Sequence, residues 1–533
     1  MSAQISFQQL PAVAEQLLAA GRHRDAIKVV RAFMDKGAVH FPAIRAVMMA
    51  AIAAGEISEA SLLLDILKAR AANRSEVWVL ASQAAAQQHQ WQQVIDNVAQ
   101  ARARKVHLPL LDLLEASAYE HLQQPDEALR VLDACKPVTP AEKSHWHYIW
   151  AGAQSARKNF SGIAERLPRF LSRAEDNVHT AGCWKHLGKA LDRLEDWQGA
   201  FDAMTRGNAL QQKLYGQPIT TNPLGLRLRA LRELYTPEWV ANLPDVNTTR
   251  RAPVFLVGFP RSGTTLLDQI LDAHPSIQTL EEKRTVEHVW DVLAPALAIP
   301  GAPPVKRNDA EAMAQRYREE LARIALLNDA QLDTLRDAYE AAVARYTDWQ
   351  AGQVLVDKMP LNTVSIGLLL RLYPQAKFIV SLRHPCDVLL SNYMQDFDMN
   401  PGMQYMTSLE WSSGLYADLM ALLWQYRDVL GIDSQIHTVR YEDLVSDMPG
   451  EARKVLDFLG LPWDDAVLGY AEHARGRGAL ATPSRQGVTE GIYTRAVNRW
   501  HHYAAHFEPL FERLRPACER YAYVLADTSV TPD

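Results

Sequence analysis

The chain has 533 residues, of which 48% are hydrophobic and 22% charged, a balance typical of folded globular proteins rather than disordered ones. At roughly 150 residues per domain, this length indicates more than one domain. Lys plus Arg number 56 against 62 Asp plus Glu, so the formal charge is −6. This charge argues against a nucleic-acid binder, because such proteins need a basic surface.

The sequence shows no predicted membrane span, no signal peptide and no paired cysteines. The apolar runs stop short of the roughly 18 residues that span a bilayer, and the first residues lack the basic and apolar stretches of a signal peptide. The four cysteines lie far apart and form no CxxC pair, so we expect neither a disulfide framework nor a metal site. These features predict a cytoplasmic protein without a membrane span.

Residues 1–215 contain an internal repeat of 34 to 36 residues. Each repeat has an anchor residue, preceded twelve positions earlier by a mostly small side chain. The six pairs are Ala14/Ala26, Met48/Ala60, Ser82/Val94, Ala116/Ala128, Gly152/Ala164 and Gly188/Ala200. Small residues let the two helices of a hairpin approach closely, and stacked hairpins bury a continuous core. A non-repetitive helical domain is the alternative, but six anchors in near-constant phase favour a repeat array.

The last repeat resembles a tetratricopeptide unit. Its side chains match the W-x2-L-G…A-x3-F spacing, with a methionine in place of the aromatic: Trp184, Leu187, Gly188, Ala200 and Met204. The resemblance implies that residues 1–215 form an all-helical tetratricopeptide solenoid. Such arrays bind a peptide, a partner protein or a neighbouring domain, and the sequence leaves these three open.

The pattern changes after a connector over residues 216–250, which we expect to be partly helical. Short apolar runs then alternate with helical segments through residues 251–525. The runs expected as buried parallel strands are Val254–Val257, Val354–Val356, Phe378–Ser381 and Ile436–Val439. The segment between 287 and 350 is expected to be mostly helical. The fold class is thus α followed by α/β, with a ligand expected at the carboxyl ends of the strands.

The loop after the first strand, Gly258 to Thr265, has the features of an anion site. A glycine-bearing turn leads from a strand into a helix N-terminus, where backbone N–H groups and the helix dipole favour a negative ligand. The residues expected to bind are Arg261, Ser262, Gly263, Thr264 and Thr265. Thr264 stands where a nucleotide P-loop has its lysine, and the cation lies at Arg261 instead. A purely structural glycine turn is the alternative.

A second anion anchor follows the third predicted strand. Arg383 leaves the strand end, and Ser391 follows eight residues later on the next helix. A guanidinium fork there suits a phosphate, with the serine hydroxyl as a second donor. Taken alone, Arg383 is equally well explained as an ion-pair partner of Asp387. Together with the first loop, it indicates a ligand with phosphates at two separated positions.

From about Val254 to Tyr521 the chain resembles a sulfotransferase. The Gly258–Thr265 loop is similar to the family's 5′-phosphosulfate loop, and Arg383 to Ser391 to its 3′-phosphate motif. The segments closest to tyrosylprotein sulfotransferases are Leu271–Pro275, Leu280–Arg284, Arg440–Leu444 and Phe458–Gly460. The resemblance implies 3′-phosphoadenosine 5′-phosphosulfate as donor, adenosine 3′,5′-bisphosphate as product, and no metal.

The same resemblance implies roles for individual residues. Glu282 aligns with the general base, and Lys358 with the lysine that contacts the bridging oxygen. Arg284 would lie on the acceptor side and Tyr441 beside the nucleotide. Ser484, or alternatively Arg485 or Arg499, would replace the family's final donor-loop lysine. Without the resemblance, Glu282 would be interpreted as a solvated carboxylate and Lys358 as a surface lysine.

The leading hypothesis is therefore a sulfotransferase that acts on an acceptor hydroxyl. The acceptor would be a peptide tyrosine, with the repeat array recruiting the acceptor or a partner. A carbohydrate, lipid or small-molecule acceptor is the alternative within the same class. A nucleotide-binding scaffold without catalysis is a different class, and the presence of Arg261, Glu282, Lys358 and Arg383 together argues against it.

Overall fold

The structure is a computed structural model that describes residues 6–19, 22–53, 57–217, 222–306, 309–476 and 496–525. The chain divides into two compact units, Met1–Ala203 and Met204–Asp533. The division falls inside a helix that ends at Tyr215, whereas the sequence placed the boundary at that helix end. Across these ranges, no helix has both the length and the apolar character that a bilayer span requires.

The first unit is helical, as predicted. Its helices are α1 (Leu10–Ala19), α2 (His23–Asp35), α3 (Phe41–Ala53), α4 (Ile57–Ala71), α5 (Ser75–Gln87), α6 (Trp91–Ala103), α7 (Pro109–His121), α8 (Pro125–Ala134), α9 (Pro140–Ala156), α10 (Phe160–Leu171), α11 (Val178–Arg193) and α12 (Trp197–Tyr215). The two members of each anchor pair lie on consecutive helices. Most anchors are buried, but Ala164 is half-buried, and Ile163 and Leu167 fill the core in that repeat.

The same turn recurs after α5, α7, α9 and α11. Its left-handed residues are His89, Gln123, Lys158 and Glu195, with φ between 58° and 64°. In each turn the next N–H bonds the carbonyl five residues earlier, at 2.9 to 3.0 Å, which is the Schellman arrangement. These four turns are 34 to 37 residues apart along the chain, and turns of the same kind also follow α2 at Gly37 and α6 at Lys105. The repetition is thus present in the backbone, while its assignment as a tetratricopeptide array stays a prediction.

The second unit contains a parallel sheet with helices on both faces. Its strands are β1 (Val254–Gly258), β2 (Ile277–Glu281), β3 (Val354–Lys358), β4 (Lys377–Leu382) and β5 (Ile436–Arg440). Its helices after α12 are α13 (Pro223–Leu234), α14 (Pro237–Ala241), α15 (Thr264–Asp272), α16 (Thr285–Leu297), α17 (Ala310–Ala322), α18 (Asp329–Ala344), α19 (Ile366–Leu372), α20 (Pro385–Tyr393), α21 (Leu409–Leu430), α22 (Tyr441–Ser446), α23 (Met448–Leu459), α24 (Tyr470–Gly476) and α25 (Phe511–Arg520). The strand order is β2-β3-β1-β4-β5, and every neighbouring pair is parallel.

Alternation along the strands sends successive side chains to opposite faces of this sheet. Leu256 of β1 joins the core with α15 and α23, whereas Phe255 contacts Tyr339 of α18 and Phe378 of β4. The central strands are therefore buried on both faces, which explains their continuous apolar runs. All four predicted strands and the helical segments within 216–250 and 287–350 are confirmed.

The strand β2 was missed. Its sequence, Ile-Gln-Thr-Leu-Glu, lies at a sheet edge, where only alternate side chains need to be apolar, and two of its five residues are half-exposed. The sequence analysis predicted no strand there and, without the resemblance, would have interpreted Glu282 as a solvated carboxylate. The structure corrects this: Glu281 is the last strand residue and pairs in register with Lys358.

Candidate functional site

The loop between β1 and α15 is built around Gly263. This glycine has φ 95°, and a Cβ there would lie 2.6 Å from Cδ2 of Tyr441. Both the left-handed backbone and the close approach of the ring require glycine. Ser262, Thr264 and Thr265 are buried, at the N-terminus of α15. The predicted anion loop therefore exists as a strand–turn–helix unit at the carboxyl end of the central strand.

The predicted second anchor joins this loop directly. Arg261 Nε donates to Ser391 Oγ at 3.1 Å, and Arg383 Nη1 lies 3.4 Å from the Arg261 carbonyl oxygen. The Asn392 amide donates to the Pro260 carbonyl at 2.8 Å. Arg261 itself has φ 74°, a left-handed conformation that the surrounding contacts must stabilise. Arg261, Arg383 and Ser391, far apart in sequence, thus form one cluster.

Arg383 is packed against Tyr441. Its guanidinium carbon lies 5.0 Å from the ring centroid, a cation–π distance. The side chain is only 8% exposed, yet its Nε has no hydrogen-bond partner in the described structure. A buried donor without a partner is costly, and an anionic ligand would satisfy it.

The ion pair with Asp387 is present, but at 3.9 Å it is long. Asp387 accepts shorter hydrogen bonds from the backbone N–H groups of Asn498 and Trp500, at 2.8 and 2.9 Å. Arg383 also donates to the Ala496 carbonyl. The segment that carries Arg499 therefore lies against the Arg383 cluster. Ser484 and Arg485 lie outside the described residues.

Lys358, at the end of β3, is fully buried, so the surface interpretation of this lysine was wrong. Its Nζ lies 2.8 Å from Oε1 of Glu282 and 3.3 Å from Oε1 of Glu281. Burial lowers the pKa of Lys358, but the nearby carboxylates of Glu282, Glu281 and Asp268 outweigh it, so the pKa is raised. The lysine is therefore a fixed cation at neutral pH.

Glu282 follows β2 and faces both Lys358 and solvent. Its N–H donates to the Lys358 carbonyl at 2.8 Å, its φ is 49°, and its side chain is 33% exposed. A carboxylate that touches a buried cation and still reaches solvent can accept a proton from an incoming group. Because β3 and β4 flank β1, the Lys358–Glu282 pair and Arg383 lie at the ends of the two strands on either side of the anion loop.

Arg284 lies at the start of α16 and is 54% exposed. Its side chain pairs with Glu287 at 3.0 Å and Asp291 at 3.5 Å on the same helix. Glu287 and Asp291, on successive turns of α16, thus hold the Arg284 side chain at the surface. Its assignment to the acceptor side stays a prediction.

Sequence reasoning missed Glu281 and Asp268, the other carboxylates around Lys358. Predicting Glu281 would have required the register between β2 and β3, and predicting Asp268 would have required knowing which face of α15 points inward. A useful signal was available: Asp268 follows Thr264 by one helical turn on the helix that begins at the anion loop. Within the described ranges, no group of three or more His, Cys, Asp or Glu side chains is arranged to hold a metal ion.

Residues 253–465 match the model of the sulfotransferase family. This stretch contains all five described strands, the anion loop and the Lys358–Glu282 pair.

Two relatives match part of the chain. An uncharacterised protein of Aquifex aeolicus is 28% identical over 330 residues, which span 62% of this chain and 40% of that protein. Protein-tyrosine sulfotransferase 1 of Danio rerio is 26% identical over 258 residues, 46% of this chain and 65% of that enzyme. The chain therefore spans less than two thirds of the length of either relative.

Among solved structures, the sulfotransferase domain from the curacin biosynthetic pathway covers 52% of this chain and 100% of that domain. Its sequence identity is 16% and its TM-score 0.29, a value too low to support an argument about this site.

Lys358→Met should destabilise the second unit by about 3–5 kcal/mol, because it leaves the buried Asp268 and the partly buried Glu281 and Glu282 without their cation. The raised pKa of Lys358 gives the wild type stability that is lost only as the pH rises above about 10.4, the ordinary lysine value. Calorimetric melting of both proteins at about pH 8 measures the destabilisation, and melting of the wild type above about pH 10.4 measures the loss of the Lys358 contribution.

Arg284→Met is the control for this variant, since it removes an exposed cation with acidic neighbours and should change stability by less than about 0.5 kcal/mol. Equal stability of the Lys358 and Arg284 variants would contradict a central role for the buried pair.

Proposed function

We propose that the second unit transfers a sulfuryl group from 3′-phosphoadenosine 5′-phosphosulfate to an acceptor hydroxyl. The observation that carries the proposal is the union of two anion anchors, the loop with Arg261 and the Arg383–Ser391 pair, beside the Lys358–Glu282 pair. The match of residues 253–465 to the sulfotransferase family supports it. A P-loop without its lysine disfavours a nucleoside-triphosphate hydrolase.

The residues present fit such a donor. The loop amides with Ser262, Thr264 and Thr265 would hold the 5′-phosphosulfate, at the positive end of α15. Arg383 and Ser391 would hold the 3′-phosphate, which would satisfy the unpaired Nε of Arg383. Tyr441, against Gly263 and Arg383, would bound the nucleotide. When bound, the donor supplies the sulfuryl group and departs as adenosine 3′,5′-bisphosphate.

Residues of the chain then supply the general base and the cations that the transfer requires. Glu282 accepts the proton of the acceptor hydroxyl, which matters for a tyrosine because its pKa lies near ~10. Lys358 stays protonated and, with Arg261, stabilises negative charge that develops next to the loop. Glu281 holds Lys358 from the strand side, so that the cation does not depend on Glu282 alone.

The acceptor we favour is a peptide tyrosine, supported by relatives named as protein-tyrosine sulfotransferases. The helical array of the first unit would recruit the acceptor or a partner protein, because stacked hairpins present an extended surface. A cytoplasmic location remains an expectation from the sequence.

The wild type should bind adenosine 3′,5′-bisphosphate at least about tenfold more tightly than 5′-AMP, since a charge-assisted contact contributes about 1.5–3 kcal/mol. Arg383→Ala should abolish this preference, and Arg284→Ala should keep it because Arg284 lies on the acceptor side. Isothermal calorimetry with 5′-AMP and ATP as comparison ligands measures it. Tighter binding of ATP by the wild type would overturn the proposed donor.

Glu282→Gln should lower the transfer rate by at least about 100-fold, the scale of a lost general base, while product affinity changes less than about twofold. Glu281→Gln is the matched control, because it removes the neighbouring carboxylate from the same lysine and should cost less than about tenfold. Rates are measured with labelled donor. Equal losses in the two variants would refute Glu282 as the base.

Peptides that contain a tyrosine, with acidic residues beside it in some and basic residues in others, should accept the sulfuryl group. Free sugars, lipids and simple phenols should accept it far more slowly. A panel of these acceptors with a mass-spectrometric readout makes the comparison. Preferential transfer to a carbohydrate, lipid or small phenol would contradict the proposal that the acceptor is a peptide tyrosine. Tight product binding without transfer to any acceptor would favour a nucleotide-binding scaffold.

A further inference from the structure

Asp357, the residue before Lys358 on β3, carries a second buried carboxyl group. Its Oδ2 accepts hydrogen bonds from Thr285 Oγ1 at 2.6 Å and from the Tyr339 hydroxyl at 2.9 Å. All three residues have no exposed surface. Adjacent strand residues point to opposite faces of a sheet, so Asp357 faces α16 and α18 while Lys358 faces α15.

Burial raises the pKa of Asp357 to about 6, against the lowering effect of the two hydroxyl donors and together with repulsion from Glu287. Its Oδ1 has no hydrogen-bond partner in the described structure. An apolar residue would avoid the free-energy cost of such a group in the core. The two hydrogen bonds that its Oδ2 accepts offset part of this cost.

Thr285 belongs to the short segment that carries Glu282. This segment, 282–285, leads from the end of β2 into α16, and Glu282 itself has left-handed backbone angles. The strand β3 holds the segment at three points: the Glu282 N–H on the Lys358 carbonyl, the Glu282 carboxylate on the Lys358 ammonium, and the Thr285 hydroxyl on Asp357. The first two alone leave the far end of the turn without a side-chain anchor to β3.

We propose that Asp357 is a positioning residue for Glu282: its carboxyl group holds the Thr285 hydroxyl and so fixes the turn that places Glu282 against Lys358. The catalytic consequence rests on the proposed function, whereas the structural one does not. Two residues that follow each other on β3 would thus act on the same glutamate from opposite faces of the sheet, Lys358 directly and Asp357 through Thr285.

The test compares two substitutions that each remove one donor from the same Asp357 oxygen. Thr285→Val keeps the shape of the side chain but releases the turn, whereas Tyr339→Phe leaves the turn attached. Hydrogen–deuterium exchange by mass spectrometry is followed in the full chain for peptides that span residues 279–286. Thr285→Val should speed exchange there at least about tenfold, with peptides of β1 and β4 unchanged, and Tyr339→Phe should not.

Turnover provides the second readout. Thr285→Val should lower kcat at least about tenfold with KM and product affinity changed less than about twofold, and Thr285→Ser should restore kcat because it restores the hydroxyl. Equal effects of Thr285→Val and Tyr339→Phe on exchange and kcat would overturn the proposal in favour of a general packing role. Wild-type protection in Thr285→Val would also overturn it.

Different results would contradict the proposed function and the positioning role of Asp357. If the wild type shows neither a 3′-phosphate preference nor transfer, the proposed function is wrong, and the exchange comparison still decides whether Asp357 fixes the turn. If the wild type transfers a sulfuryl group but exchange near Glu282 is unchanged in Thr285→Val, only the positioning role is wrong.

Discussion

A fully buried ammonium group at the end of β3 is the constraint on which the rest of the site depends. An unpaired charge cannot remain in such a place, because transfer from water without compensation costs far more than a domain's net stability. Lys358 therefore requires carboxylates within contact distance, and β2 and α15 supply them as Glu281, Glu282 and Asp268. This pairing is satisfied because β2 lies beside β3, and β2 ends at a point where Glu282 can still reach solvent.

The anion loop obeys a steric constraint that links it to the other side of the sheet. Gly263 leaves room for the Tyr441 ring, and that ring in turn supports the Arg383 guanidinium. A side chain at position 263 would push the ring away and release the arginine. The two anion anchors are therefore built as one unit, with Arg261 bonded to Ser391 across them. Such preorganisation is what favours an anion with charge at two separated positions.

The sequence was informative where local rules decide the structure, and uninformative where strand order does. Continuous apolar runs revealed β1, β3 and β4 because those central strands are buried, and the glycine turn revealed the anion loop. The edge strand β2 has only two apolar residues among five, Ile277 and Leu280, and ends at a glutamate, so no strand was predicted there. The Glu282–Lys358 contact joins residues 76 positions apart, and the contact of Asp357 with Thr285 joins residues 72 apart. Neither follows from spacing. The roles of Glu282 and Lys358 came from family resemblance, since the residues alone favoured surface positions for both.

The distribution of cations explains how this loop differs from a nucleotide P-loop. A P-loop concentrates its cation on one lysine next to a chain of phosphates. Here three cations come from three places: Arg261 from the loop, Lys358 from β3 and Arg383 from β4. The lysine is held by carboxylates and the two arginines by backbone oxygens and Ser391, so each has a fixed position before any ligand arrives. Because β3 and β4 lie on opposite sides of β1, the arrangement matches separated anionic groups better than a continuous triphosphate.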